Sequence, residues 1–351
     1  MRKPNLFIAI ALMLGGTALA AAPAPETVQA RQQAVLPDAA LVLDGDPVAF
    51  FNTPAGAQLK AALIKQTRMD DKKQQIILPW LDEARHLTLS CRGKVSDRMA
   101  DLTVRGLVEA EKPGFWSRTQ LALAALNNEM NNDLPIQVNP DGKTMVISKG
   151  KETSLWLAEA SDGNLGFTFR LDSKSRRGGG GTAIAAATPE PTGRSKAESL
   201  QALIKEHGQG QVTLAARCSY SVRLLIDKGL LKNRRYGDGT RLQDVLDLNW
   251  LLEMEQVVVS LEAGETLTVT ATGIFPTDEE ADAAAKALAK DLGILCGAIE
   301  QDVAAAADPQ AIVPKPVIPA EVKTLVESAA MERKGKSLRL RLTIPAGLMK
   351  F

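Results

Sequence analysis

Two stretches late in the chain alternate between apolar and polar residues without a break. Leu267, Val269 and Ala271 fall on one side of an extended strand, and Thr266, Thr268, Thr270 and Thr272 on the other. Leu338, Leu340, Leu342 and Ile344 alternate in the same way with Ser337, Arg339, Arg341 and Thr343. Side chains along a strand point to opposite faces in turn, so a period of two predicts a sheet with one dry and one wet face. That pattern favours antiparallel pairing, with helices laid over the dry side.

Helix starts are marked by hydroxyl residues placed to cap a free backbone N–H. Ser117 with Gln120, Ser195 with Glu198, Thr240 with Gln243 and Thr277 with Glu280 each fit a capping box. Asp46-Pro47 and Thr53-Pro54 fit a cap followed by proline in the first turn. An Ala-rich helix is expected from Asp278 to about Val303, with a ridge of small residues at Ala281, Ala285, Ala289, Gly293 and Gly297. That ridge is read as packing on the helix's own sheet, with a subunit interface as the rival. His207 and Gly208 close the helix that begins near Lys196, a cation and a glycine being standard stop signals.

The same signals occur twice in one order. Trp80 to Ser90 matches Trp250 to Ser260, with Trp, Leu, Glu and Ser at corresponding places. The strand opening Ala40-Leu41-Val42-Leu43 has a partner in Val212-Thr213-Leu214-Ala215. The turn Asn139-Pro140-Asp141-Gly142-Lys143-Thr144 has one in Arg333-Lys334-Gly335-Lys336-Ser337. Ordered matches of this kind predict an internal duplication. The expected fold class is α+β: two related domains, each a mostly antiparallel sheet covered on one face by helices. They would span residues 37–172 and 195–351, joined by a Gly/Ala/Pro-rich linker at 173–194. Gly178 to Gly181 sit in that linker without the Lys-Ser/Thr that a phosphate-binding loop requires.

The N-terminus reads Met1-Arg2-Lys3, then an apolar stretch from Leu6 to Leu14, then Ala18-Leu19-Ala20. This three-part pattern predicts a signal peptide over residues 1–20 and export to the periplasm or beyond. Residues 21–36 are expected to be a flexible leader. No later stretch is apolar for long enough to predict a transmembrane segment.

Composition narrows the function classes. Net charge is +1, so no global field draws in a polyanion, and nucleic acid is not an expected partner. Aromatic residues make up 4%, which argues against a stacking surface for sugars or bases. The chain has 2 His, and neither sits in metal-ligand spacing. No cofactor and no metal are expected.

Cys91 lines up with Leu87 and Leu89 on an apolar face, five residues from His86 and on the opposite side of the strand. Cys296 lies among Leu292, Leu295 and Ile299 and reads as core. Cys218 ends a strand before a helix start, where a thiol's pKa can fall. An odd number of cysteines allows one internal bridge at most. Asp44-Gly45-Asp46 places two carboxylates at a strand end, with Asp46 assigned to capping. His86 is read as a polar residue on the wet face.

Arg333, Lys334, Lys336, Arg339 and Arg341 form the candidate ligand-binding group, because close-set cations suit phosphate or carboxylate oxygens. The leading functional expectation is a non-catalytic binding or scaffold protein of the cell envelope. The alternatives are a hydrolase or thiol redox enzyme whose site assembles only in the fold, and an anion-binding module for acidic glycan or lipid. The partner would be an anionic envelope component or another envelope protein.

Overall fold

The computed structural model describes residues 25–67, 82–95, 99–129, 136–149, 153–160, 163–174, 196–218, 249–306, 320–345 and 348. The signal-peptide region, Trp80, residues 175–195 of the linker region, and the caps Ser195 and Thr240 lie outside them.

In chain order the elements of the first half begin α1 (Pro25–Ala34), β1 (Leu41–Gly45), α2 (Pro47–Phe51), α3 (Pro54–Thr67), β2 (Ala84–Val95) and β3 (Met99–Ala110). They continue α4 (Phe115–Glu129), β4 (Ile136–Val138), β5 (Thr144–Lys149), β6 (Thr153–Glu159) and β7 (Leu165–Lys174). The second half runs α5 (Lys196–His207), β8 (Val212–Arg217), α6 (Trp250–Glu253), β9 (Gln256–Ala263), β10 (Leu267–Ile274), α7 (Asp278–Ala306), α8 (Ala320–Glu327), β11 (Ala330–Lys334) and β12 (Ser337–Ile344).

All the strands among the described residues belong to one 12-stranded antiparallel sheet, in the order β11-β12-β10-β9-β8-β1-β2-β3-β7-β6-β5-β4. The expectation of a separate sheet in each half is therefore corrected. The first strand of each half, β1 and β8, pair with each other, with Leu43 opposite Leu214 at the middle of the register. The strand order reads the same outward from this seam: first, second and third strand of the half, then its closing hairpin. The hairpin topologically opposite β11–β12 is β6–β7; β4 and β5 extend the first half beyond it.

Helices cover both faces, which corrects the one-face expectation. Leu87, Leu89, Val104, Val108 and Phe167 pack under Phe115 and Trp116 of α4. Phe50 and Ala55, from α2 and α3, pack on Val212, Ala263 and Leu267 of the same face. Ala281, Ala284, Ala285 and Leu288 of α7 pack on Leu338. The opposite face carries Val42, Ala215 and Val258, and Leu200 of α5 seals it together with Val35, Leu36 and Ala39. Burial of these apolar side chains is the main force holding the layers together.

Several local expectations change once the layers are known. Within the stretch expected as a leader, residues 25–34 form a helix, and Val35 and Leu36 are core. Thr268, Thr270 and Thr272 alternate as expected, yet their face is not wet; Thr272 is 2% exposed. The buried stripe of α7 runs through Ala281, Ala284, Ala285 and Leu288, while Ala289 and Gly293 are exposed. Helix α4 begins at Phe115, so Ser117 lies in its first turn and Gln120 donates to the Gly142 carbonyl (3.0 Å). The Thr277–Glu280 box is present: Glu280 N–H donates to Thr277 Oγ1 (3.1 Å) and Thr277 N–H to Glu280 Oε2 (3.0 Å). Thr53 caps α3, accepting the Gly56 N–H at 3.0 Å.

Candidate functional site

Three places combine exposure, charge or concavity, and each is set by a different part of the sheet.

The first is a polar cluster on the central strands. Register places Asp44 of β1 opposite Thr88 of β2, with His86 one step along the same face and Glu109 of β3 opposite His86. His86 Nε2 lies 2.9 Å from Asp44 Oδ1, and Thr88 Oγ1 donates to the same oxygen at 2.8 Å. Arg31 of α1 reaches down to this face and grips Glu109 with both branches of its guanidinium, Nη2 donating to Oε2 at 2.7 Å. Two-pronged guanidinium–carboxylate pairs are among the strong, directional contacts in proteins.

Burial pushes the Asp44 carboxyl up, but the hydrogen bond and charge of His86, the Thr88 hydroxyl and the Arg31 charge outweigh it. They hold Asp44 below its ordinary value. Burial wins at Asp46, raising it to about 7 against the charge of His86, the Val48 N–H and the charges of Arg85 and Arg31. Burial works against the Arg31 charge, yet Glu109, Asp44 and Asp46 together raise it above its ordinary value.

Two expectations change here. Asp46 stands at the cap position of α2, where the Val48 N–H acts on its carboxylate without forming a well-aligned cap hydrogen bond; the residue is 5% exposed and its Oδ1 lacks a hydrogen-bond partner among the described residues. His86 is not a wet-face residue: its side chain is 15% exposed and pairs with Asp44. The sequence could not have shown this pairing, because nothing in it says that β1 and β2 are neighbours in this register.

A carboxylate-bound imidazole suits proton transfer only with a reactive group beside it. Thr88 is tied to the same Asp44 oxygen, and Ser90 Oγ is committed to the backbone of Leu36 and Ala34. Cys91 packs with the opposite, apolar face, where burial raises its thiol to about 11. Cys218 is buried against Met254 and Phe275, and Cys91, Cys218 and Cys296 form no disulfide with one another.

The second place is a groove of about 550 Å³ between α4 and the β4–β5 hairpin. Ser117, Gln120, Leu121 and Ala124 form one wall, and Ile136, Val138 and Met145 the other. Leu121 is 71% exposed and Val138 53%, unusual values for large apolar side chains that face each other across a cleft. The hairpin is fixed by its turn. Gly142 takes a φ of +67° that favours glycine, and its carbonyl accepts from Trp116 Nε1 at 2.9 Å. Sequence reasoning missed this site; Leu121 opens the apolar run Leu121-Ala122-Leu123-Ala124-Ala125-Leu126, so nothing in the sequence marks it as the exposed member.

The third place is the basic hairpin, whose members the structure divides. Arg333 turns toward α7, donating to the Asp278 carbonyl at 2.9 Å and lying 3.9 Å from Asp282. Arg339 lies on the other face, 3.6 Å from Glu332. Lys334, Lys336 and Arg341 are exposed, and none makes an ion pair among the described residues. Three of the five thus remain open cations, Lys334 and Lys336 at the turn and Arg341 further along β12 opposite Ala330.

Among the described residues no group of three or more His, Cys, Asp or Glu is placed to hold a metal ion. Among them, too, no helix is long and apolar enough to cross a membrane. No family model matches the chain, and no curated protein matches it. A solved structure, crystal form I of TP0453, is similar to it at 12% identity and a TM-score of 0.39, with 89% of this chain and 92% of that chain covered.

Proposed function

We propose that this chain is an exported, non-catalytic binding protein of the cell envelope, which captures an extended apolar segment in the groove beside α4. The carrying observation is the pair of exposed apolar walls, Leu121 and Val138, around a preformed cleft. Ligand sites are typically concave and mostly apolar, with a few polar groups to set orientation. Gln120, Asn127 and Asn128 supply such groups here. Among the described residues strand β4 pairs on one side only, with β5, so a bound segment can also add hydrogen bonds along its other edge.

The test is a titration of isotope-labelled protein with peptides of alternating apolar and polar residues. Amide shifts should concentrate in α4, β4 and β5, and the double variant Leu121→Asp, Val138→Asp should remove them. Shifts confined to other elements would refute this reading. Export is tested separately, by whether the chain recovered outside the inner membrane begins at Ala21.

The two halves are proposed to be copies of one module. The mirrored strand order about β1–β8 supports this, as does the helix α1 or α5 leading into each first strand. On this reading the first copy begins at α1.

A second reading rests on Lys334, Lys336 and Arg341. Open cations strung along one hairpin suit an extended ligand bearing several phosphate or carboxylate groups, such as an acidic glycan or a lipid surface. Replacing all three by Ala should then abolish salt-sensitive retention on anionic vesicles. Unaltered retention would remove it.

A further inference from the structure

We propose that Arg92, Arg105 and Arg170, brought together on the polar face of β2, β3 and β7, form a binding site for a phosphate monoester. Register makes the group. Arg92 of β2 lies opposite Thr103 of β3, and Thr103 lies opposite Arg170 of β7. Arg105 stands two residues along β3 on the same face, opposite Ser90 and Thr168. Neighbouring strands lie about 5 Å apart and residues i and i+2 about 7 Å, so three arginine side chains at these stations can reach a common centre. All three are half-buried, as are Thr103, Thr168, Ser154 and Trp156 around them. Trp156 of β6 lies opposite Thr168, and Ser154 opposite Arg170.

Little of this positive charge is already answered. Arg92 and Asp38 form an exposed pair at 3.1 Å. Among the described residues Arg105 and Arg170 make no ion pair and no side-chain hydrogen bond, and Arg170 Nε is buried without an acceptor. Burial and the Arg92 charge both hold Arg105 below its ordinary value, a strain of like charges that a bound anion relieves. The next station toward the strand ends sets Asp101 opposite Lys94 and Asp172, so the acids stand in a row of their own. The fold does not call for these arginines. With Ser90 matched to Ser260, the corresponding stations of the second half hold Glu262, Thr270 and Thr343, and the same strand pairing is made there without them. A carboxylate's two oxygens occupy one guanidinium fork, whereas a terminal phosphate offers three oxygens and nearly two charges to share among three. The site is separate from the groove beside α4, which opens on the other face, and from Lys334 and Lys336 at the far end of the sheet.

The test has two arms, both on the full chain. In one, isotope-labelled protein is titrated with glycerol phosphate; in the other, it is cosedimented with phosphatidylcholine vesicles carrying phosphatidic acid. Amides of Arg92, Thr103, Arg105, Thr168 and Arg170 should shift saturably in the first arm, and about 0.5 M sodium chloride should weaken the response in either. Arg105→Gln and Arg170→Gln should each lower affinity by about tenfold, the loss expected for one charge-assisted contact. Lys334→Ala with Lys336→Ala should leave it unchanged. If a Gln variant does not fold, Arg105→Lys and Arg170→Lys serve: they keep the charge, lose the fork, and should bind more weakly than the parent. A response to glycerol phosphate assigns a soluble ligand and a response to vesicles alone a lipid headgroup; either supports the site when it requires Arg105 and Arg170. No saturable response in either arm would overturn the proposal. So would a response that the arginine variants leave intact, or one that sodium chloride at equal ionic strength reproduces.

Discussion

Ser90 and Ser260 hold corresponding stations on either side of the sheet's midline. Ser90 lies opposite Val42 of β1 and accepts the N–H of Leu36, two residues past the end of α1. Ser260 lies opposite Thr213 of β8 and accepts the N–H of Gln209 (3.3 Å), two residues past the end of α5. Each hydroxyl ties a helix exit to the second strand of its half. Ser90→Ala removes two short buried bonds and strands a buried N–H, at a cost of about 1–3 kcal/mol. Ser260→Ala, with longer bonds, should cost about 1 kcal/mol. Urea midpoints of the two variants check the ranking, and a larger loss at Ser260 would contradict it.

Asp46 should set a pH dependence of unusual sign for an acid. Its pKa rises from 3.8 to about 7 on folding. Between those values the folded chain holds a proton that the unfolded chain has released. Its contribution to stability is therefore lost as pH rises from about 4 to 7 and stays lost above. Asp46→Asn should remove that slope and stabilise the protein by about 1–2 kcal/mol at about pH 8. Melting temperatures across the range decide it; a variant less stable than the parent at about pH 8 would reverse the assignment.

Gly106 is expected to tolerate no side chain. A Cβ there would sit 2.4 Å from Phe167 Cζ and 3.0 Å from the Thr88 carbonyl oxygen. Phe167 is itself packed in the core beneath α4, so its ring has little room to retreat. Gly106→Ala should cost about 1–3 kcal/mol, as other overpacked cores do. A change within about 0.5 kcal/mol would show that the ring can move.

Thiol chemistry offers a further check. The thiolate is the reactive species, and Cys91 is raised to about 11, so almost none is ionised near neutral pH. Cys218 is shielded by burial. A disulfide reagent at about pH 7 should modify these two slowly in the native protein and rapidly in denaturant. Rapid native labelling of Cys218 would revive a redox role.

Much of the architecture could be read from local pattern. The alternation at Leu267–Ala271 and Leu338–Ile344 became β10 and β12, and the Thr277 box became the start of α7. What could not be read was non-local. The union of β1 with β8 depends on two edges about 170 residues apart meeting, and no periodicity encodes that. The same holds for His86 and Asp44, which become partners only through strand register. Helix α1 was hidden by its Ala/Gln-rich composition: its role lies in one arginine and its exit, not in an apolar stripe. The threonines of β10 looked solvent-facing because hydroxyl residues usually are, yet they are enclosed.

The two rims of the sheet are unlike. On β11, Glu332, Arg333 and Lys334 stand exposed at the boundary, and charged side chains along an edge discourage another strand from adding to it. On β4 the rim is neutral, with Val138 open beside it. A fibre requires both rims of each molecule to accept a neighbour, whereas here one repels. Copies that stick under stress should therefore stop at edge-to-edge pairs joined through β4 rather than polymerise.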